Sequence, residues 1–412
     1  MLELLRGIGE EVVGSGKDGC IYIDDAVRRM EALSEEAPGS VSLIYMDPPY
    51  GTGKRFEVRQ KVGAREWKSG RGSLVLPAYD DKLPRDEYLS MMRSVLTSSK
   101  KLLSSDGLLF IHVDYRMHAH VRLLADEIFG ESSFLNEIVW AYETGGRSKK
   151  VFARKHDIIL LYASSEDYDL HTDDVAEVPE GGRRNHMARR VDEDGRTYRQ
   201  IVSGGKLYRY YDDEPVPPSD VWSDISHLQQ RDPQRSGFDT QKPYRLLDRI
   251  VRCASREGDT VLDPFFGSAT TLEAAFAAGR KFIGIDINPL CAVLAERRLK
   301  DAQYRLFCPE GEGAPELDAL AAPGITDTGV YLNAFEPCDD ELKQAAPSGY
   351  DGIDNWAAGR LENGVFLAEG REIRSKNTPE LTGEVRVPLP GGGLVVRVSD
   401  ILGRRFFYRL QN

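Results

Sequence analysis

The stretch Gly258-Asp259-Thr260-Val261-Leu262-Asp263-Pro264-Phe265-Phe266-Gly267-Ser268-Ala269-Thr270-Thr271 reads as a short apolar strand, a Gly-Ser turn and the start of a helix. Such a turn lets backbone N–H groups approach a nucleotide-like ligand at a helix N-terminus. A second apolar run, Lys281 to Ile285, follows and ends in Asp286. That acid lies about 20 residues beyond Gly267, the offset at which a carboxylate meets ribose hydroxyls. Strand, glycine turn, helix, strand and acid together fit an adenosine-bearing ligand. Asp263, Phe265, Gly267, Ser268, Thr270 and Asp286 are its candidate contacts.

Just upstream, Thr240-Gln241-Lys242-Pro243 precedes a helix expected from Pro243 to Ser255. By itself this is an ordinary helix start, yet a Thr hydroxyl and a Lys ammonium there can also bind a ligand carboxylate. More than two hundred residues earlier, the apolar run Leu43-Ile44-Tyr45-Met46 enters Asp47-Pro48-Pro49-Tyr50-Gly51. Two prolines remove two backbone donors and stiffen the turn. The Asp47 carboxylate and the Pro48 carbonyl can then point together at one amino group, while Tyr50 offers a flat face for a base.

Around these motifs short apolar runs alternate with helical patterns, which predicts an α/β domain with a mainly parallel sheet. Strands are expected at Val41–Met46, Gly107–Val113, Ile158–Tyr162, Thr260–Leu262 and Lys281–Ile285, and helices at Arg85–Leu103, His118–Phe129, Pro243–Ser255 and Ala269–Ala278. The expected organisation is a catalytic half over residues 1–163, a recognition insert over 164–239, a cofactor half over 240–305, an acidic linker over 306–355 and a small β-rich unit over 356–412.

Taken together, the three motifs resemble those of DNA amino-methyltransferases, in particular the adenine-specific family in which Asp-Pro-Pro-Tyr precedes the cofactor motif and a target-recognition region lies between them. The resemblance extends through Gly107 to Trp140, His156 to Tyr162 and Val221 to Ile225, and covers about residues 18 to 300. It implies a Rossmann-like sheet and S-adenosylmethionine as methyl donor. It also implies a catalytic motif at Asp47, Pro48, Pro49 and Tyr50, and a cofactor site that includes Thr240, Gln241 and Lys242. The implied reaction is methylation of adenine N6 in double-stranded DNA after base extrusion, with no metal. Ala269 stands where the family usually has Gly, so crowding of the methionine moiety is expected there. Asp24 stands where a Gly usually precedes Asp25, leaving Asp25 either a cofactor contact or a helix cap.

The formal net charge of -12 is unevenly spread. Between Pro309 and Asn355 eleven acids face one base, Lys343, so the rest of the chain is nearly neutral. Two stretches are basic: Gly51 to Val75, which includes Lys54 and Arg55, and Gly181 to Tyr211, which includes Arg183, Arg184, Arg189 and Arg190 among several tyrosines. Each reads as a solvated loop or as a surface for a phosphate backbone; the six cations named are the candidate DNA contacts. The five widely spaced cysteines suggest reduced thiols, and the lack of a long apolar run or signal-like N-terminus predicts a cytoplasmic protein without membrane contact. Cytosine N4, RNA, a protein amide and a non-catalytic specificity subunit remain alternative readings. A homodimer and a restriction subunit are the partners left open.

Overall fold

The computed structural model describes residues 2–69, 74–142, 149–179, 187–309, 311, 315–323, 326–337, 340–346, 349–388 and 393–410. The chain begins with β1 (Leu2–Leu5), β2 (Glu10–Val13), β3 (Gly19–Ile23), α1 (Ala26–Glu36), β4 (Val41–Met46), β5 (Arg55–Gln60), α2 (Gly63–Ser69) and β6 (Leu74–Asp80). It continues through α3 (Arg85–Leu102), β7 (Leu103–Val113), α4 (His118–Phe129), β8 (Phe134–Ala141) and β9 (His156–Ala163). The middle holds β10 (Arg190–Val191), β11 (Thr197–Ser203), β12 (Lys206–Tyr211), β13 (Val221–Trp222), α5 (Tyr244–Cys253), β14 (Thr260–Asp263), α6 (Thr270–Ala277), β15 (Lys281–Asp286), α7 (Pro289–Arg298) and β16 (Tyr304–Phe307). The last part comprises β17 (Glu316–Pro323), β18 (Asp327–Glu336), α8 (Asp340–Ala345), β19 (Ile353–Glu362), β20 (Val365–Ile373), β21 (Glu384–Pro388), β22 (Leu394–Asp400) and β23 (Arg405–Leu410).

One sheet runs β1-β23-β22-β19-β20-β2-β16-β3-β15-β14-β4-β7-β9-β8-β13. Its centre, from β16 through β3, β15, β14 and β4 to β7, is parallel, and β9 is inserted antiparallel between β7 and β8. Helices cover both faces of this centre, so its strands are apolar on successive residues. Leu43 and Tyr45 enter one core with Val261 and Phe282, while Ile44 and Met46 enter the other with Leu262 and Ile285. No described helix is long and apolar enough to cross a membrane.

Three regions differ from the sequence expectation. The segment read as an acidic linker carries β17, β18 and α8, with Val330, Leu332, Phe335 and Leu342 buried. Its acids obscured the alternation, and β18 pairs both with neighbouring β17 and with β21, which comes some fifty residues later. The terminal β unit is not a separate body: β19, β20, β22 and β23 continue the central sheet, joined to it through β2, which pairs with β16 on one side and β20 on the other. Within the insert, β10 to β12 form their own sheet, but β13 adds to the edge of the central one.

The seam between the two halves of the sheet holds a buried charge cluster. Glu11 of β2, Glu296 of α7, Arg397 of β22 and Arg405 of β23 are all at most 3% exposed. Arg397 Nη2 lies 2.9 Å from both Glu11 Oε1 and Glu296 Oε1, and Arg405 Nη1 lies 3.1 Å from Glu296 Oε2. Burial opposes ionisation of Glu11, but the two guanidinium groups outweigh it and hold its pKa below the ordinary value. Two acids and two bases make the cluster neutral, so deleting one member strands a charge in the interior. Glu296→Ala is therefore expected to cost about 3–5 kcal/mol of unfolding free energy, measured by urea denaturation.

Candidate functional site

Strands β4 and β14 are neighbours in parallel register, Leu43 opposite Val261 and Ile44 opposite Leu262. Their carboxyl ends therefore deliver Asp47 and Asp263 to the same rim, where open α/β sheets take their ligands. A cavity of about 660 Å³ lies there. All ten residues expected at the cofactor line it: Asp25, Thr240, Gln241, Lys242, Asp263, Phe265, Gly267, Ser268, Thr270 and Asp286. From the catalytic motif, Asp47 and Pro49 line it as well, whereas Pro48 and Tyr50 do not.

Asp47 is held from two sides. The Tyr50 hydroxyl donates to Asp47 Oδ1, and the Lys242 ammonium pairs with Asp47 Oδ2. Lys242 Nζ also stands 5.5 Å from the centre of the Tyr50 ring. Lys242, expected on a ligand carboxylate, thus bridges the catalytic and cofactor motifs. Below this group Tyr45 Oη is 2.9 Å from His112 Nδ1, and His112 Nε2 is 3.4 Å from Asp157 Oδ2. Burial acts against ionisation of Asp157, yet His112, Lys242 and Tyr142 outweigh it and hold its carboxyl below the usual range.

The cofactor loop is shaped by two left-handed residues. Gly267 has φ +48°, and a Cβ there would meet the Phe238 ring at 3.2 Å. Ala269 has φ 61°, a conformation that costs an L-residue about 1–2 kcal/mol. Ala269 is fully buried and does not line the cavity, so the expected crowding of a ligand gives way to backbone strain. Asp286 Oδ2 accepts from Gly267 N and Oδ1 from Asn288 N, each at 2.9 Å, which leaves lone pairs for hydroxyls in the cavity. Asp25 caps α1, its Oδ1 accepting from Arg28 N at 2.9 Å, and also lines the cavity. Asp24 instead binds Arg28 and Arg29.

Sequence reasoning missed one wall. Ala78, Tyr79 and Asp80 of β6 line the cavity, and Asp81 accepts from Gly51 N and Thr52 N at 2.8 Å, pinning the turn after the catalytic motif. The β5–β6 hairpin is tied to the loop after β15 by Asn288 Nδ2, 2.7 Å from Ala78 O, and Gln60 is 3.0 Å from Arg297. Lys54 immediately precedes this hairpin and Arg55 opens it, both exposed. None of these wall residues belongs to a recognisable spacing; only the fold brings them in.

Of the other cations expected on DNA, Arg183 and Arg184 lie outside the described residues. Arg189 Nε is 3.1 Å from Asp212 Oδ2, and Arg190 is exposed at the start of β10. The insert leaves and re-enters the body at Glu177 and Val216, which form an antiparallel bridge. Arg245 of α5 holds this neck through Glu177 and through Asp224, the latter at 3.0 Å.

The donor set fits a cationic adenosine ligand. S-adenosylmethionine carries a sulfonium, an ammonium and a carboxylate; among the described residues the lining offers Asp25, Asp47, Asp80, Glu87, Asp263 and Asp286 against the single base Lys242. Phe265, Pro264 and Ile287 supply an apolar wall, and Ser268, Thr240 and Thr270 supply hydroxyls. Asp263 is fully buried, and burial, with Asp47 and Asp286 nearby, pushes its pKa up to about 7 from 3.8. Its folded carboxyl keeps a proton that the unfolded one has released, so its contribution is full below about pH 3.8 and is lost as pH rises to about 7. Asp263→Asn is expected to remove about 4 kcal/mol of that pH-dependent loss, measured by denaturant unfolding between pH 4 and 7.5.

The sequence profile of the DNA methylase family matches residues 41–297. Among curated proteins, the type II methyltransferase M.EcaI of Enterobacter cloacae is 27% identical over 302 residues, which span 62% of this chain and 64% of that protein. The DNA adenine methyltransferase YhdJ of Escherichia coli K12 is 28% identical over 289 residues, 68% of this chain and 82% of that protein. Among solved structures, the cytosine-N4-specific PvuII DNA methyltransferase aligns with a TM-score of 0.44 at 17% identity, covering 68% of this chain and 86% of that one. With the family profile covering more than half of its length, the chain belongs to the DNA methylases, and S-adenosylmethionine is the methyl donor its cavity fits.

Proposed function

We propose that this protein methylates the exocyclic N6 of adenine in double-stranded DNA. One observation carries the reading: Asp47, at the end of β4, is fixed by Tyr50 and Lys242 beside the cavity whose other wall is the cofactor loop. The similarity to YhdJ, named as an adenine methyltransferase, favours adenine over cytosine.

S-adenosylmethionine, when bound, supplies an electrophilic methyl group on sulfur. Asp286 would hold the ribose hydroxyls, Phe265 and Ile287 the adenine, and Thr240 and Lys242 the methionine end. The chain's part in the chemistry is positioning and electrostatics. An aromatic amine is a poor nucleophile because its lone pair is delocalised into the ring. Hydrogen bonds from the amine to Asp47 and to the Pro48 carbonyl favour a pyramidal nitrogen and localise that pair. A carboxylate has about four lone-pair directions, and Tyr50 and Lys242 take one each, so Asp47 keeps capacity for the amine. Pro48 and Pro49 offer no competing N–H. The target base is paired within a duplex and must be extruded, at a cost of a few kcal/mol. The Tyr50 ring, 6.3 Å from His112 and tilted by 31°, is the face offered to it.

Transfer of labelled methyl from S-adenosylmethionine to unmethylated genomic DNA, followed by nucleoside analysis, tests this. N6-methyladenine is expected, with a loss of about 10²–10³-fold in Asp47→Ala. N4-methylcytosine would reassign the base; no label in DNA despite cofactor binding, measured by calorimetry, would overturn the reading. Lys242→Met is expected to weaken cofactor binding and slow transfer, each by about tenfold, because one ammonium serves both sites.

A further inference from the structure

We propose that one face of the β11–β12 hairpin reads base edges in the major groove of duplex DNA, with Gln200 and Arg209 as the reading pair; this rests on the DNA substrate proposed above. The ladder places Gln200 directly opposite Arg209 and Val202 opposite Leu207. Residues opposite one another in an antiparallel pair share a face, as do alternate residues of one strand, so all four side chains point the same way. Arg209, Val202 and Leu207 are exposed and Gln200 is half-buried.

Charge selects the partner. From Thr197 to Tyr211 the hairpin carries Arg199, Lys206 and Arg209 and no acid. The acids sit at the other end: Asp192, Glu193 and Asp194 in the turn before β11, and Asp212, Asp213 and Glu214 after β12. There Asp212 meets Arg189 and Arg199, and Asp213 meets Arg196. Among the described residues neither Lys206 nor Arg209 has a carboxylate partner. The hairpin tip is therefore cationic while the acids after β12 are engaged by arginines, so the cationic tip is the part that a phosphate-lined groove complements.

Shape agrees. Gly204 and Gly205 have φ +58° and +78°, with open space around each, so the hairpin narrows to a two-residue turn. Val202 (65% exposed), Leu207, Ile201 and Tyr208 stand out of the fold near that tip without a core beneath them. A two-stranded ribbon fits a major groove about 12 Å wide, where Gln pairs with adenine N6 and N7, Arg with guanine O6 and N7, and small apolar groups with the thymine methyl. From the Gln200–Arg209 rung to the Val202–Leu207 rung is about 6.6 Å, or about two base-pair steps.

The test is sequencing of methylated sites in unmethylated genomic DNA treated with the full chain, with Gln200→Ala, Arg209→Lys or Arg190→Ala. Arg209→Lys keeps the charge and loses the planar fork, so discrimination at one target position is expected to fall by about ten- to a hundredfold while non-specific DNA affinity holds. Gln200→Ala should relax a different position, and Arg190→Ala should lower methylation uniformly across sites. If wild type methylates DNA but Gln200→Ala and Arg209→Lys leave the target motif intact, the hairpin does not read bases and the proposal falls alone. If wild type transfers no methyl to DNA, the proposal falls together with the functional reading.

Discussion

The parallel pairing of β4 with β14 is the constraint on which the rest of the site depends. Leu43 and Ile44 lie against Val261 and Leu262, although more than two hundred residues separate them. Both strands are buried on both faces, so a slip of one residue would turn Leu43 and Tyr45 into the wrong core. Register is thus fixed by packing, and with it the relative height of Asp47 and Asp263 at the rim. A nucleophile and a methyl donor must meet within a few tenths of an ångström of a productive geometry, and rigid sheet ends can hold such a tolerance where loops cannot.

Electrostatics follows from that closeness. Several carboxylates converge on one low-dielectric cavity with a single lysine. Burial among them pushes the Asp263 pKa up to about 7, whereas Asp47 is bound to an ammonium and a phenol. The same wall therefore places a carboxyl raised by burial beneath the cofactor loop and, at the end of β4, a carboxyl engaged by Tyr50 and Lys242. An acidic lining also suits a ligand with two positive groups and one negative, so the charge that makes the cavity costly when empty of partners favours a cationic guest.

The C-terminal strands extend this framework instead of hanging from it. β2 joins β16 to β20, and the neutral cluster of Glu11, Glu296, Arg397 and Arg405 closes the seam. From there the β5–β6 hairpin is braced as well. Val62, just after β5, packs in the C-terminal core, and Lys68 of α2 is 2.6 Å from Glu380. This hairpin carries a wall of the cavity, and Asp81 behind it holds Gly51 and Thr52. The stretch expected as an acidic linker thus shares the core against which Val62 packs, and so supports the turn at Asp47 to Tyr50.

Local sequence determined the motifs, the strands that bear them and most helix bounds, because strand apolarity, Pro-Pro stiffness, glycine turns and first-turn prolines act through neighbouring residues. It also pointed to ten residues that the fold brings together around one cavity. Only the tertiary structure decided that Lys242 sits on Asp47, that Tyr79 and Asp81 complete the site, and that Ala269 stores backbone strain away from the ligand. It alone showed that β17 and β18 are strands and that β19, β20, β22 and β23 join the central sheet in part through a four-ion cluster. Most of these rest on contacts between residues far apart in the chain, where charge pairing and burial depend on partners that no local pattern names.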